Sequence, residues 1–141
     1  RGTSQIGTGV SAISDFGDGY FQNNKDIEGY TQGVEAQKLS IIRGMKLSQD
    51  DVLRREVIEN LMCHGVIDVE DLRERHDINF KNYFSDAWKL LQKFEEEHLL
   101  ELSDSSVQLT RLGTLFMRNV AMSFDYYLSD ESKNFNFSKT I

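Results

Sequence analysis

The sequence predicts a mainly helical protein with a small antiparallel β-hairpin, ending in a winged-helix-like domain. Three observations carry that expectation. Capped amphipathic helices follow one another from Leu47 onward. The apolar period then changes from about 3.6 to about 2 over Leu100–Leu102 and Val107–Leu109. Before Leu47 the composition is different: seven of the ten glycines lie between Gly2 and Gly33, with Gly44 next.

The elements read in order as follows. Gln5 to Ser14 forms a small-residue strand and turn, and glycine within a strand marks close approach of a ligand or another backbone. A strand without partners is unstable. The segment therefore reads as the end of a sheet whose other strands lie upstream, outside this chain. Asp26 to Gln37 is a short helix with Ile27, Tyr30 and Val34 on one face, weakened by Gly29 and Gly33. Ser40 to Met45 is a short extended connection.

Ser48 then caps a helix that runs to about His64, where Gly65 stops it. Its buried stripe is Val52 or Leu53, Val57 and Leu61. Asp68 caps a short helix to about His76. Asn79 caps a longer one to about His98, carrying Phe80, Tyr83, Phe84, Ala87, Leu91 and Phe94. Ser103-Asp104-Ser105-Ser106 turns the hairpin without a glycine. Thr110 caps a last helix to about Leu128, and a polar tail from Ser129 to Ile141 carries Phe135 and Phe137. The expected division is residues 1–45, a helical winged-helix-like domain over 46–128, and the tail 129–141.

Composition narrows the function. The net charge of −7 opposes binding to nucleic-acid phosphates or anionic membrane surfaces. No apolar run reaches the length of a membrane span. Cys63 is the single cysteine, so an intrachain disulfide is impossible, which suits a reducing compartment. His64, His76 and His98 are dispersed, so no metal site is expected. Cys63 reads as partly buried and the histidines as surface or interface groups. Cys63 and His64 are adjacent, so their side chains diverge on a helix. Gly7-Thr8-Gly9 lacks the third glycine of a dinucleotide loop and the lysine of a P-loop, so a tight junction is the better reading. Ser14-Asp15-Phe16-Gly17-Asp18-Gly19-Tyr20 reads as a turn rather than a calcium loop.

The last helix carries a conflict. Its inward stripe would hold Leu112, Leu115 or Phe116, Asn119 or Val120, Ser123 and Tyr127. An amide there must bond backbone elsewhere, or face a ligand or a neighbouring domain, because an unpaired buried amide costs roughly 1–3 kcal/mol.

Several blocks together resemble a family. Gly7-Thr8-Gly9-Val10-Ser11-Ala12-Ile13-Ser14 and Gly17-Asp18-Gly19-Tyr20-Phe21-Gln22-Asn23 are similar to the late catalytic segment of oxygen-independent coproporphyrinogen III oxidases. The likeness continues through Arg43-Gly44-Met45-Lys46-Leu47, Asp50-Asp51, Arg54-Arg55 and Val57-Ile58. It returns over Arg118 to Leu128 and reaches Phe137-Ser138. Haem-chaperone relatives share the C-terminal domain type but lack the Arg-Asn…Phe-Asp ending.

The resemblance implies a cytoplasmic, monomeric radical S-adenosylmethionine enzyme of haem biosynthesis. Such an enzyme oxidatively decarboxylates two propionates of coproporphyrinogen III to give protoporphyrinogen IX. It holds a [4Fe–4S] cluster on a Cys-x3-Cys-x2-Cys motif near its N-terminus. The cluster cleaves S-adenosylmethionine to the radical that abstracts a propionate hydrogen. With Cys63 its single cysteine, this chain lacks that motif and cannot run the chemistry unaided. Residues 1–45 would be the C-terminal end of the radical-SAM catalytic barrel. The resemblance also implies that Ile13 contacts S-adenosylmethionine. It gives Arg118 and Asn119 no catalytic role, although an Arg near the opening could pair with a substrate propionate. The alternative is a free-standing winged-helix-like module that binds a protein partner.

Overall fold

The computed structural model describes residues 3–129. They divide into a unit ending at Leu53 and a unit beginning at Arg54. The tail from 130 onward, with Phe135, Phe137 and Ser138, lies outside the described residues.

The first unit is built on a sheet. Strands β1 (Ile13–Asp15), β2 (Gly19–Asn23) and β3 (Ile41–Lys46) pair antiparallel in the order β1-β2-β3. Gln5 adds a bridge to Asp15 on the outer side of β1. The expectation of an unpartnered strand is therefore corrected: its partners are local. Two features hid them. β2 is rich in glycine and amides, and β3 has every residue exposed, so neither shows apolar alternation. The Asp15–Gly19 segment is the turn the sequence suggested. The Asp15 Oδ1 accepts from the Gly17 N–H at 2.8 Å, and Gly17 takes φ 85°, which glycine adopts without steric cost. Between β2 and β3 lies α1 (Ile27–Glu35), the short helix expected there, capped by Asp26, which accepts from the Gly29 N–H at 2.6 Å.

Helix α2 (Gln49–His64) starts on a reciprocal cap. The Asp51 N–H donates to Ser48 Oγ (3.1 Å), while the Ser48 N–H donates back to Asp51 Oδ2 (2.9 Å). Leu53, Val57 and Leu61 are buried at four-residue spacing, and Gly65 ends the helix at φ 70°.

The second unit then runs β4 (Val66–Asp68), α3 (Val69–His76), α4 (Phe80–Tyr83), α5 (Ser85–Glu96), β5 (Leu100–Leu102) and β6 (Ser106–Leu109). From α2 onward this helix–strand–helix–helix–helix–strand–strand order, with an antiparallel sheet ordered β4-β6-β5, is winged-helix-like. The single hairpin expected from sequence is thus one portion of a three-stranded sheet. Only three residues long, β4 is too short to show a period, and its last residue doubles as the α3 cap: Asp68 Oδ1 accepts from the Asp71 N–H at 2.9 Å. The serine-rich hairpin turn works without glycine because Ser103 Oγ accepts from the Ser106 N–H at 2.9 Å.

The helix expected over Asn79–His98 is kinked at Phe84 (φ −101°, ψ 41°). Its ladder continues through the kink, from the Phe84 N–H to Phe80 O and from the Trp88 N–H to Phe84 O. The bend seats Phe84 against Phe80 (5.0 Å between ring centroids) and Phe124 (5.3 Å). All three rings are buried. Burying each contributes about 1.5–3 kcal/mol, enough to outweigh an imperfect helical turn. His98, at φ 59°, closes α5: the Leu99 N–H reaches back to Phe94 O and the His98 N–H to Glu95 O.

The last helix is also divided. A 3₁₀ turn (Gly113–Phe116) precedes α6 (Met117–Met122) and α7 (Tyr126–Ser129). Thr110 still caps its start, accepting from the Gly113 N–H at 3.0 Å. Asp125 restarts it, accepting from the Tyr127 N–H at 2.9 Å. Of the expected stripe only Val120 is buried, joined by Ala121 and Phe124, while Leu112, Leu115 and Phe116 are exposed. Switching from three to 3.6 residues per turn rotates the buried face.

Candidate functional site

Antiparallel register places cross-strand partners on one face of a sheet. In the first unit, Ile13, Gln22 and Arg43 form one cross-strand row, and Asp15, Tyr20 and Met45 the next. Alternation along each strand puts both rows on the same face. There Ile13, Tyr20, Gln22, Arg43, Gly44 and Met45 line an open concavity of about 490 Å³. That is within the usual size range of small-molecule sites. Ile13 is 55% exposed and Met45 50%, so apolar surface faces this hollow.

The opposite face holds the strand in place. Ser14 is buried, and its Oγ accepts from the Gly7 N–H at 3.1 Å. Phe21 packs edge-on against Phe16 at 5.6 Å. Gly44 lies against the Phe21 ring, where an added Cβ would come within 2.9 Å of a ring carbon.

The Gly7-Thr8-Gly9 segment is a junction, as its spacing suggested. The Gly9 N–H donates to the Tyr30 hydroxyl at 3.0 Å. The Asn23 side-chain amide donates to both Gly7 O (3.2 Å) and Gly9 O (3.0 Å). With both glycine N–H groups engaged, the loop has little left to offer a phosphate. An added Cβ on Gly7 would stand 2.5 Å from the Ile13 carbonyl oxygen, so glycine is needed here for Ile13 to keep its position.

Across the concavity a polar chain is fixed. The Gln22 amide nitrogen donates to Ser11 O (3.1 Å), which turns its oxygen to accept from Arg43 Nε at 2.8 Å. No carboxylate among the described residues pairs with the Arg43 guanidinium. Asp15 shares the face, but its carboxylate turns back to Gly17. Sequence reasoning gave Gln22 and Arg43 no role, because their pairing depends on strand register across 21 residues.

Other candidates fall elsewhere. Arg118 and Asn119 are exposed on α6, which removes the conflict of a buried amide. Cys63 is exposed rather than partly buried. Among the described residues, no three His, Cys, Asp or Glu side chains gather as a metal site. His76 belongs to an ionic network instead: its Nε2 lies 2.9 Å from Glu56 Oε2. Arg75 bridges Glu56 and Asp71. Burial pushes the Glu56 carboxyl upward, but the bonds and charges of Arg75 and His76 outweigh it and hold it below its usual value. The Arg75 bond chiefly lowers Asp71, and the two carboxylates raise Arg75.

Comparison with known proteins fits this architecture. Residues 47–116 match the HemN C-terminal domain, the stretch that holds α2 and the winged-helix-like elements. Over nearly its whole length the chain is 37% identical to the oxygen-independent coproporphyrinogen III oxidase of Escherichia coli (strain K12), covering 99% of this chain and 30% of that protein. It is 39% identical to the same enzyme of Helicobacter pylori (strain J99), again over 99% and 30%. The solved coproporphyrinogen III oxidase (HemN) of Escherichia coli, described as a radical SAM enzyme, superposes with a TM-score of 0.84 at 38% identity. That superposition covers 89% of this chain and 29% of the solved one. The chain therefore matches the C-terminal region of oxygen-independent coproporphyrinogen III oxidases. It spans about 30% of the length of the curated relatives it matches.

Proposed function

We propose that this chain is the C-terminal portion of an oxygen-independent coproporphyrinogen III oxidase. The intact enzyme would decarboxylate two propionates of coproporphyrinogen III, giving protoporphyrinogen IX. The observation that carries this is the near-complete alignment to such oxidases at 37–39% identity. In this reading residues 1–45 end the catalytic barrel, residues 46–128 form a domain beside the active-site opening, and the tail 129–141 follows. The enzyme is cytoplasmic and monomeric, and it binds neither nucleic acid nor membrane. No described helix is long and apolar enough to cross a membrane.

Two cofactors are implied, and this chain suits them differently. A [4Fe–4S] cluster needs several thiolates, and with one cysteine these residues do not fit it. S-adenosylmethionine suits the first sheet better. Ile13 would pack on the adenine face, with Met45 extending the apolar wall and Tyr20 adding a hydroxyl. Once bound, that group supplies the radical-forming sulfonium. The residues of this chain bind, orient and shield.

The test uses the intact enzyme that carries this chain. Ile13→Asp should weaken S-adenosylmethionine binding at least tenfold in equilibrium titration, with Ile13→Val near wild type. Unchanged affinity in Ile13→Asp would remove the contact. Failure of the reconstituted anaerobic enzyme to convert coproporphyrinogen III would remove the assignment.

A further inference from the structure

On the face that carries Ile13 stands a cation that no carboxylate of the described residues neutralises. Arg43 extends from β3 into the same concavity. Its Nε is committed to Gln22 at 2.8 Å, and the Gln22 amide is itself pinned to Ser11 O at 3.1 Å. Gln22 thus acts as a strut: a flexible side chain is held at one nitrogen, and the two terminal nitrogens stay available. In a chain of net charge −7 with 23 acidic residues, an arginine that meets no carboxylate among the described residues is poorly explained by surface pairing. Gly44, next in the chain, keeps β3 close to the Phe21 ring and so fixes where the Arg43 backbone lies.

Resting on the function proposed above, we infer that Arg43, braced by Gln22, is a carboxylate-binding residue of this concavity. It receives the carboxylate of a ligand whose apolar body lies against Ile13 and Met45. A guanidinium fork matches a carboxylate geometrically, and pre-bracing lowers the conformational entropy lost on binding. Both ligands of the proposed reaction carry such a group: the amino-acid end of S-adenosylmethionine and the propionates of the tetrapyrrole. The chemistry recognised is the same, and the experiment separates the sources.

In the intact enzyme, dissociation constants are measured for wild type, Arg43→Gln, Arg43→Lys and Gln22→Leu. The probes are S-adenosylmethionine against carboxylate-free 5′-methylthioadenosine, and coproporphyrin III against its tetramethyl ester. Arg43→Gln should weaken the carboxylate-bearing member of at least one pair roughly 10- to 100-fold, the worth of a charge-assisted hydrogen bond. Its carboxylate-free analogue should hold its affinity. Arg43→Lys and Gln22→Leu should fall between. The pair that responds names the source, and a response in both pairs assigns the residue to both ligands. Equal affinities for all four probes in wild type and Arg43→Gln would overturn the inference. So would an equal loss for the analogues, which would give Arg43 a merely structural role. A wild-type enzyme that binds neither S-adenosylmethionine nor coproporphyrin III would instead overturn the functional reading beneath it, and the inference with it.

Discussion

Gly113 is where the second unit tolerates a side chain least. It is buried at the start of the last helical segment, facing the backbone of Leu99. A Cβ built there would overlap the Leu99 carbonyl oxygen and lie 2.7 Å from its carbon, inside the 3.0 Å that real Cβ contacts respect. Neither partner is a flexible side chain, so Gly113→Ala must push the Leu99 and Gly113 backbones apart. The displaced carbonyl accepts from the Thr110 N–H (3.0 Å) and Thr110 Oγ1 (3.1 Å), and both bonds would stretch. Two weakened hydrogen bonds at about 0.5–1.5 kcal/mol each, plus about 1–3 kcal/mol for overpacking, give roughly 2–6 kcal/mol. For a unit of this size each kcal/mol lowers Tm by about 4–8 °C, so a fall of about 8 °C or more is expected. Gly65→Ala is the comparator. It meets an ordinary contact at 3.9 Å and bears only the strain of φ 70°, about 1 kcal/mol. Urea melts followed by far-ultraviolet circular dichroism measure both. A loss under 1 kcal/mol for Gly113→Ala, or one no larger than for Gly65→Ala, would refute the close-approach argument.

Glu56 is held below its usual value in the fold, so its contribution is complete above about pH 4.5 and is lost as pH falls through the lowered value. Glu56→Gln should therefore cost about 1 kcal/mol at pH 7 and flatten the acid limb of a stability–pH curve; an unchanged limb would count against the network. Gly7→Ala should drive the Ile13 strand outward, raising amide exchange over Ile13–Asp15 while leaving α2 unaffected. Arg54 stacks on Phe84 (5.3 Å) and Tyr126 (5.6 Å) and donates to Phe124 O (3.1 Å). Arg54→Ala should cost about 1–3 kcal/mol and loosen α7, seen as faster exchange at Tyr126–Leu128. Arg54→Lys should recover some of this.

The sequence by itself determined where the helices begin. Asp26, Ser48, Asp68, Asn79 and Thr110 each cap a turn as their side chains dictate, because capping is a bond between residues two or three apart. It also determined the stripe of Leu53, Val57 and Leu61 and the C-terminal stop at Gly65. Tertiary structure decided what depends on distant partners. The kink at Phe84 exists because Phe124, forty residues on, completes its aromatic cluster. β3 and β4 are strands because β2 and β6 pair with them, not because their own residues alternate. The site divides the same way. Ile13 stood out in the sequence through its family resemblance, beside small residues that fix its backbone. The brace of Gln22 on Arg43 appears only once register sets two strands side by side, since a cross-strand bond leaves no local period to read.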